Sequence, residues 1–371
     1  MYPLTHSVAA LASVYLVPER WLPRAALPRA AVLATALAAG NAADLDALSA
    51  ALGGVGAYVA HGGGVLHSLW AAAAFALALG WLGGRLWRAP WRPLAAVAAV
   101  AAASHLALDA LTFPGFYPLA PFGGPRVALA WLFPVDPTFL LLLTAAWWLR
   151  PRRWRPVLVP VLLAAYVGVG ALSTEHALEV GWRDAEAAGV DVTDVVATPA
   201  PGAASVWSRV VDVRGPSFDA RAIIGLLTPG SSSWRRHLSN LDDPAVRALS
   251  STPDGRVFDR WAVAPVARVE TTPWGTGWVL VTLSDARWDV PGLGPVGPSL
   301  VAWMRERGTR YRLMGLRWRL GPPRADEHLP PGLPAPKLPY ATVEELVRRL
   351  PTATQDERHL PASPAMPAAP Q

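Results

Sequence analysis

Two long apolar stretches, residues 64–83 and 93–112, constrain this chain more than any other feature. Each approaches the ~20 residues that an α-helix needs to cross a bilayer. A helix without a polar face belongs either in a large protein core or in lipid. Four further stretches, 4–17, 28–47, 127–149 and 156–173, share this Ala-, Leu-, Val- and Trp-rich composition. The expectation is an α-helical membrane bundle of about six helices over residues 1–173. A soluble Ala-rich bundle is the alternative. The first stretch is short, and Pro134, Asp136 and Pro137 interrupt the fifth. The opening MYPLTHSVAALASVYLV has no basic n-region and no convincing small-residue cleavage site, so it reads as a retained helix.

Charge sets the expected orientation. Arginines gather in three clusters: Arg20, Arg24 and Arg29; Arg85, Arg88 and Arg92; and Arg150, Arg152, Arg153 and Arg155. The opposite loops, 48–63 and 113–126, hold only Arg126. The positive-inside rule makes the Arg-rich loops cytoplasmic, and the tryptophans beside them fit an interfacial belt. Six spans would put everything after Ser173 outside the cell membrane. The net charge of +6 is accounted for mainly by these clusters. Without a basic, aromatic-interleaved surface, nucleic acid is not an expected partner.

Seven titratable groups punctuate the apolar half: His6, Asp44, Asp46, His61, His67, His105 and Asp109. Such groups are costly in hydrocarbon and usually mark a functional site. On the six-span reading all seven fall near the outer surface. The chain has no cysteine, so a metal site must use imidazole and carboxylate. His105 and Asp109 are four apart and share a helix face. Asp44 and Asp46, two apart, cannot share a regular helix face, but a fraying helix end would let both reach one centre. Gly62, Gly63 and Gly64 permit a turn that brings His61 and His67 together. All seven are therefore candidate metal ligands. Asp46 and Asp109 are the candidate general bases. Mixed imidazole and carboxylate ligands favour zinc, with manganese or iron as alternatives, as one or more ions.

These motifs, in this order, resemble the YdjM-like family of membrane-bound metal-dependent hydrolases. The resemblance rests on Thr5-His6-Ser7, Asp44-Leu45-Asp46, His61 with His67-Ser68, His105 with Asp109 followed by Pro121-Phe122, and Asp136-Pro137. Ala43, Gly62 and Leu66 stand where the family tends to have Pro, Arg and Thr. Two later segments, NLDDPAVRAL and LSDARW, resemble the extension of the family's long members. The resemblance implies hydrolysis of a phosphoester, and the surface position suggests a lipid or lipid-linked substrate. A metal-activated water would attack it. Two other classes compete: a transporter or proton relay, and a non-catalytic membrane scaffold with a structural metal.

Beyond Ser173, Pro and Gly cut the chain into short segments. Apolar alternation at 205–214, 218–228, 256–269, 277–284 and 310–320 predicts strands. Thr272-Pro273-Trp274-Gly275 reads as a hairpin turn. Asp242-Asp243-Pro244 predicts a short helix through Leu249. A small, mainly antiparallel β or α+β domain is therefore expected over 174–321, on the extracytoplasmic side. His237 with Arg235 and Arg236 reads as a solvated basic turn. Residues 322–371 are Pro- and Ala-rich and expected to be largely disordered.

Overall fold

The structure is a computed structural model; it describes residues 3–148, 155–200, 206–215, 218–227, 234–238, 240–272, 277–290, 294–295 and 297–320. The expected disordered tail, the Arg150–Arg153 cluster and the hairpin tip at Pro273–Gly275 lie outside these residues. Each of the six apolar stretches contains a helix: α1 (Pro3–Leu16), α2 (Arg29–Asn41), α4 (Leu69–Trp87), α5 (Trp91–Leu111), α6 (Pro137–Trp148) and α7 (Arg155–Ala187). One helix was not expected. Residues 48–63 read as a loop, yet α3 (Leu48–His61) forms there, kinked at Gly54 with φ 75°.

The chain is a membrane protein. Among the described residues, three helices, α4, α5 and most of α7, are long and apolar enough to span. A fourth span follows if α2 and α3, bent by 50°, count as one broken crossing. The 14 residues of α1 fall below the ~17-residue lower limit. In the fifth stretch, helix begins only at Pro137. Phe139 N–H and the Tyr166 hydroxyl both donate to the Asp136 carboxylate there, capping α6.

Packing in the bundle is close rather than bulky. Ala10, Ala31, Ala36, Ala39, Ala98 and Ala101 lie between α1, α2 and α5, all within 2% exposure. Small residues let helix backbones approach where lipid supplies little hydrophobic drive for association. By contrast Leu77, Trp81, Leu82 and Leu86 of α4 are exposed. An exposed apolar face of that extent is stable only in a nonpolar solvent. Arg85 and Arg92 lie over Trp81 and Trp91 at the end of α4 and start of α5.

The remaining chain forms two four-stranded antiparallel sheets. The first contains β1 (Asp194–Pro199), β2 (Ser208–Arg214), β3 (Phe218–Gly225) and β4 (Arg235–Leu238), in that order. The second contains β5 (Pro265–Thr271), β6 (Trp278–Asp285), β9 (Pro298–Arg307) and β10 (Arg310–Leu320), ordered β10-β9-β6-β5. A small ribbon pairs β7 (Asp289–Val290) with β8 (Gly294–Pro295). The helix at α8 (Pro244–Ser250) was expected, and Asp243 caps it through Ala245 N–H at 2.7 Å. The segment 256–269 is a correction. Its first part belongs to α9 (Pro253–Trp261), started by Thr252 accepting from Gly255 N–H with Pro253 in the first turn. Only its second part is strand. Its periodicity serves one helical face, with Phe258 buried against the second sheet.

Both sheets attach to the same end of the bundle. The helix α7 continues through Ser173 to Ala187, and its Ala177, Val180 and Ala185 pack under the first sheet. Arg209 of β2 donates to Thr174 Oγ1 and to the carbonyls of Trp131 and Gly170, at 2.9, 3.0 and 2.5 Å. Under the second sheet, Arg287 donates to Phe113 O and Trp261 O while pairing with Asp285 at 2.6 Å. Arg221 links the sheets, bonding Asp212 at 2.7 Å and Ala286 O at 2.8 Å.

Candidate metal centre

Six of the seven expected groups occupy the bundle end beneath the second sheet, brought there by four separate segments. His6 lies one turn into α1, fully buried. Its ring stacks on His105 with centroids 3.7 Å apart. His105 and Asp109 face inward from α5, as their spacing of four requires, with His105 Nε2 3.1 Å from Asp109 Oδ2. Asp44 and Asp46 sit on a 3-10 turn, Ala43–Ala47, between α2 and α3. That tighter winding resolves their awkward spacing, since it ends the regular α-helix before either acid is reached. His67 ends a second 3-10 turn, Val65–His67, just before α4.

Two imidazoles have their roles fixed by what their outer nitrogens touch. His105 Nδ1 donates to the Gly40 carbonyl at 2.8 Å, which leaves Nε2 as the lone-pair nitrogen facing the cluster. Only glycine fits at position 40, because an added Cβ would stand 2.4 Å from Ala10 Cβ. His67 Nδ1 lies 3.0 Å from Asp46 Oδ2, which also accepts Gly63 N–H at 3.1 Å. Gly63 adopts φ 67° and approaches the Gly115 carbonyl, so the turn delivering this N–H requires glycine. Asp46 thus orients His67 from behind, an arrangement common around metal-ligating imidazoles.

Three Nε2 atoms consequently face two carboxylates. Asp109 lies 3.6, 3.4 and 3.1 Å from Nε2 of His6, His67 and His105. Asp44 lies 3.9, 3.7 and 3.9 Å from the same three atoms. Tetrahedral zinc with bonds of about 2.0–2.1 Å separates its ligand atoms by roughly 3.3 Å. The observed spacing therefore suits a shared cation. His6 Nε2, His105 Nε2 and Asp44 Oδ2 are buried yet find no hydrogen-bond partner, despite these short approaches. Buried polar atoms are normally satisfied, and a cation held among these would account for the exceptions here. The electrostatics agree. Burial alone would lower the His67 imidazole, but hydrogen bonding to Asp44 and Asp46 and the charges of Asp46 and Asp109 raise it to about 9. The carboxylates around His67 favour positive charge there.

Two ligand groups satisfy the spacing needed for an ion: His6 with His105 and Asp109, and Asp44 with His67 and His105. They share His105, which has only one free nitrogen. They thus describe overlapping parts of one compact site. His61 stands apart. It ends α3 exposed to solvent, and neither ligand group includes it. The glycine turn directs His67 inward and leaves His61 outside.

Sequence reasoning missed Arg126. Its Nη1 donates to Trp261 O at 2.8 Å and its Nη2 donates to Pro114 O, joining the loop after α5 to α9. A lone arginine in an otherwise uncharged outer loop was the available signal. A family model described as YdjM inner membrane protein matches residues 1–177. No curated protein and no solved structure matches the chain.

Proposed function

The membrane half of this chain belongs to the YdjM inner membrane protein family, and from that premise we propose a membrane-embedded, metal-dependent hydrolase acting on a phosphoester in a lipid or lipid-linked substrate. One observation carries the reading: three imidazole Nε2 atoms and two carboxylates converge within 3.9 Å, with buried ligand atoms lacking partners. A bound divalent cation, zinc by the donor set and spacing, would supply Lewis acidity and a water acidic enough to be a nucleophile near neutral pH.

The chain's own groups then divide the work. His6, His67, His105, Asp44 and Asp109 hold the cation. Asp46 is a positioning residue rather than a base, because its Oδ2 is engaged by His67 and Gly63. Asp109 is nearly enclosed, with 7% of its side chain exposed, whereas Asp44 has 21%. Asp44 is thus the carboxylate best placed to exchange a proton with incoming water. His61 has no part in the centre. In this reading residues 1–173 form the membrane metal-site unit and 174–321 an extracytoplasmic cover. Arg85, Arg88 and Arg92 stand at the ends of the spanning helices α4 and α5 opposite His67, His105 and Asp109, so the positive-inside rule supports an outward-facing site whichever shorter helices cross. The grouping at one bundle end argues against a proton relay, which needs polar groups through the bilayer.

Elemental analysis of detergent-purified protein tests the reading, combined with assays on soluble phosphomonoesters and phosphodiesters. The expected result is bound metal and phosphoester hydrolysis, both lost in His105→Ala and Asp109→Ala. Wild-type protein with background metal only would overturn it.

A further inference from the structure

A cavity of about 270 Å³ opens beside the metal centre, between the membrane half and the second sheet's helices. Val59, Gly62 and Gly64 form one wall, the loop from Gly115 to Arg126 another, and Val257, Arg260 and Trp261 of α9 the third. Its wall is in direct contact with the metal-site network. Gly63, between the two lining glycines, donates its N–H to Asp46, which holds His67. Tyr117, another lining residue, donates its N–H to the Gly63 carbonyl at 2.9 Å. The cavity and the centre are therefore two sides of one glycine turn.

The chemistry of the lining is one-sided. Arg126, Arg260 and the Tyr117 phenol contribute to it, and no carboxylate does among the described residues. Arg126 spends its two terminal nitrogens on backbone carbonyls, and its buried Nε has no partner. Burial and the neighbouring Arg287 pull the Arg126 guanidinium down to about 10, against smaller opposing effects of Tyr117 and Asp285, so it remains charged at neutral pH. At Arg260 the Tyr117 hydroxyl donates to the backbone carbonyl at 3.2 Å. Two guanidinium groups bordering a concave site with no carboxylate in its described lining suit an anionic ligand.

The loop that supplies the lining residues Pro121 and Gly123 also carries an apolar surface. Phe122 is 82% exposed and meets exposed Trp70 edge-on at 6.3 Å. Leu69, at the start of the spanning helix α4, anchors the same loop through its N–H to the Pro118 carbonyl. An apolar rim continuous with a lipid-facing helix receives acyl chains, while a cavity near the small end of ligand sites (~300 Å³) receives a headgroup.

We propose that this cavity is the phosphate subsite: Arg126 and Arg260 bind the phosphate of a lipid headgroup and present its ester to the adjacent metal centre. The assignment rests on the hydrolase reading for its purpose, but phosphate binding itself does not require metal. Binding is measured by calorimetry on the full chain in detergent, with dioctanoyl phosphatidic acid, inorganic phosphate and dioctanoylglycerol as probes. Phosphatidic acid binds, inorganic phosphate binds more weakly at the same site, and phosphate-free dioctanoylglycerol does not bind. Arg260→Gln weakens both phosphate probes about tenfold, the loss of one charge-assisted hydrogen bond. Its metal content by elemental analysis stays at the wild-type level. Arg126→Gln acts in the same direction. Because it also loosens an interdomain bond, Arg260→Gln, whose head is exposed, carries the test alone if the other variant does not fold. Chelated, metal-free protein that still binds phosphate in an arginine-dependent way supports the subsite even where the hydrolase reading fails. Phosphate binding that disappears with the metal and is indifferent to Arg260→Gln overturns the subsite and leaves the hydrolase reading intact. Equal binding of dioctanoylglycerol, or no binding of either phosphate probe, also overturns it.

Discussion

Two buried groups of charge lie under the second sheet, and they are finished to different degrees. At the junction between sheet and bundle, Asp285 and Arg287 are almost fully enclosed, and the available partners are used. Asp285 accepts from Val263 N–H and Arg287 N–H, and Arg287 bonds Asp285, Phe113 O and Trp261 O. In the candidate metal centre burial is nearly as deep, yet His6 Nε2, His105 Nε2 and Asp44 Oδ2 go without hydrogen bonds. A satisfied buried pair holds a structure together. An unsatisfied cluster carries its energetic cost because something else is meant to complete it. Burial and charge alone do not separate the two roles, whereas hydrogen-bond accounting does.

Breaking the finished pair should give the largest effect. Arg287→Ala leaves Asp285 as a buried, uncompensated charge and should destabilise the protein by about 3–5 kcal/mol. Denaturant or thermal unfolding of the detergent-solubilised chain measures this, and a wild-type midpoint would remove the contrast. In the centre, Asp46→Asn should weaken metal affinity about 10–100-fold by loosening His67, without removing a ligand. Competition with a metallochromic chelator reads that out; unchanged affinity would return Asp46 to a role in proton transfer. Next, His6→Leu should do opposite things to the two states. Metal binding falls, while the metal-free protein gains about 1 kcal/mol because two orphaned polar atoms leave the core. A metal-free variant less stable than wild type would mean that the cluster is satisfied after all.

Acid should reveal the smallest difference. Burial alone would raise the Asp285 carboxyl, but Arg287 and two backbone N–H groups outweigh it and hold it below its ordinary value. A depressed carboxyl stabilises the fold fully above the unfolded value of ~3.9, and that contribution is lost as pH falls through the lower folded value. Melting curves between about pH 5 and pH 3 should therefore show a declining limb that is shallower in Asp285→Asn. An unchanged slope would mean that other carboxylates control acid unfolding.

The sequence made the helices legible wherever hydrophobicity ran unbroken, because lipid selects for that pattern directly. It hid α3, since Gly53, Gly54 and Gly56 weaken the helical signal. Contacts with α9 and β10 accompany that helix in the fold, and Gly56 lies against Trp318. It also hid α9, whose Val257 and Phe258 gave a strand-like alternation. Charge after Ser173 looked like the end of the membrane half, yet α7 continues because Ala177, Val180 and Ala185 keep a helical face apolar. For the site, residue type was enough to bring six groups into view. The hydrogen bonding and exposure of each carboxylate were not legible, since they depend on the Gly63 turn and on the 3-10 winding after α2. The arginines of the cavity were out of reach for a different reason: Arg126 and Arg260 are 134 positions apart, and only the docking of α9 makes them neighbours.

The unbroken course of α7 has a mechanical consequence. At about 1.5 Å per residue its 33 residues extend roughly 50 Å, some 20 Å more than the hydrocarbon needs. The excess works as a stiff mast with the first sheet bolted to it, so the height and heading of that sheet above the lipid are set by residue count. Deleting a single residue between Thr174 and Ala187 would turn the sheet by about 100° around the mast. Arg209 would then face away from Gly170 and Trp131, which makes the length of this segment as much a part of the architecture as any side chain it carries.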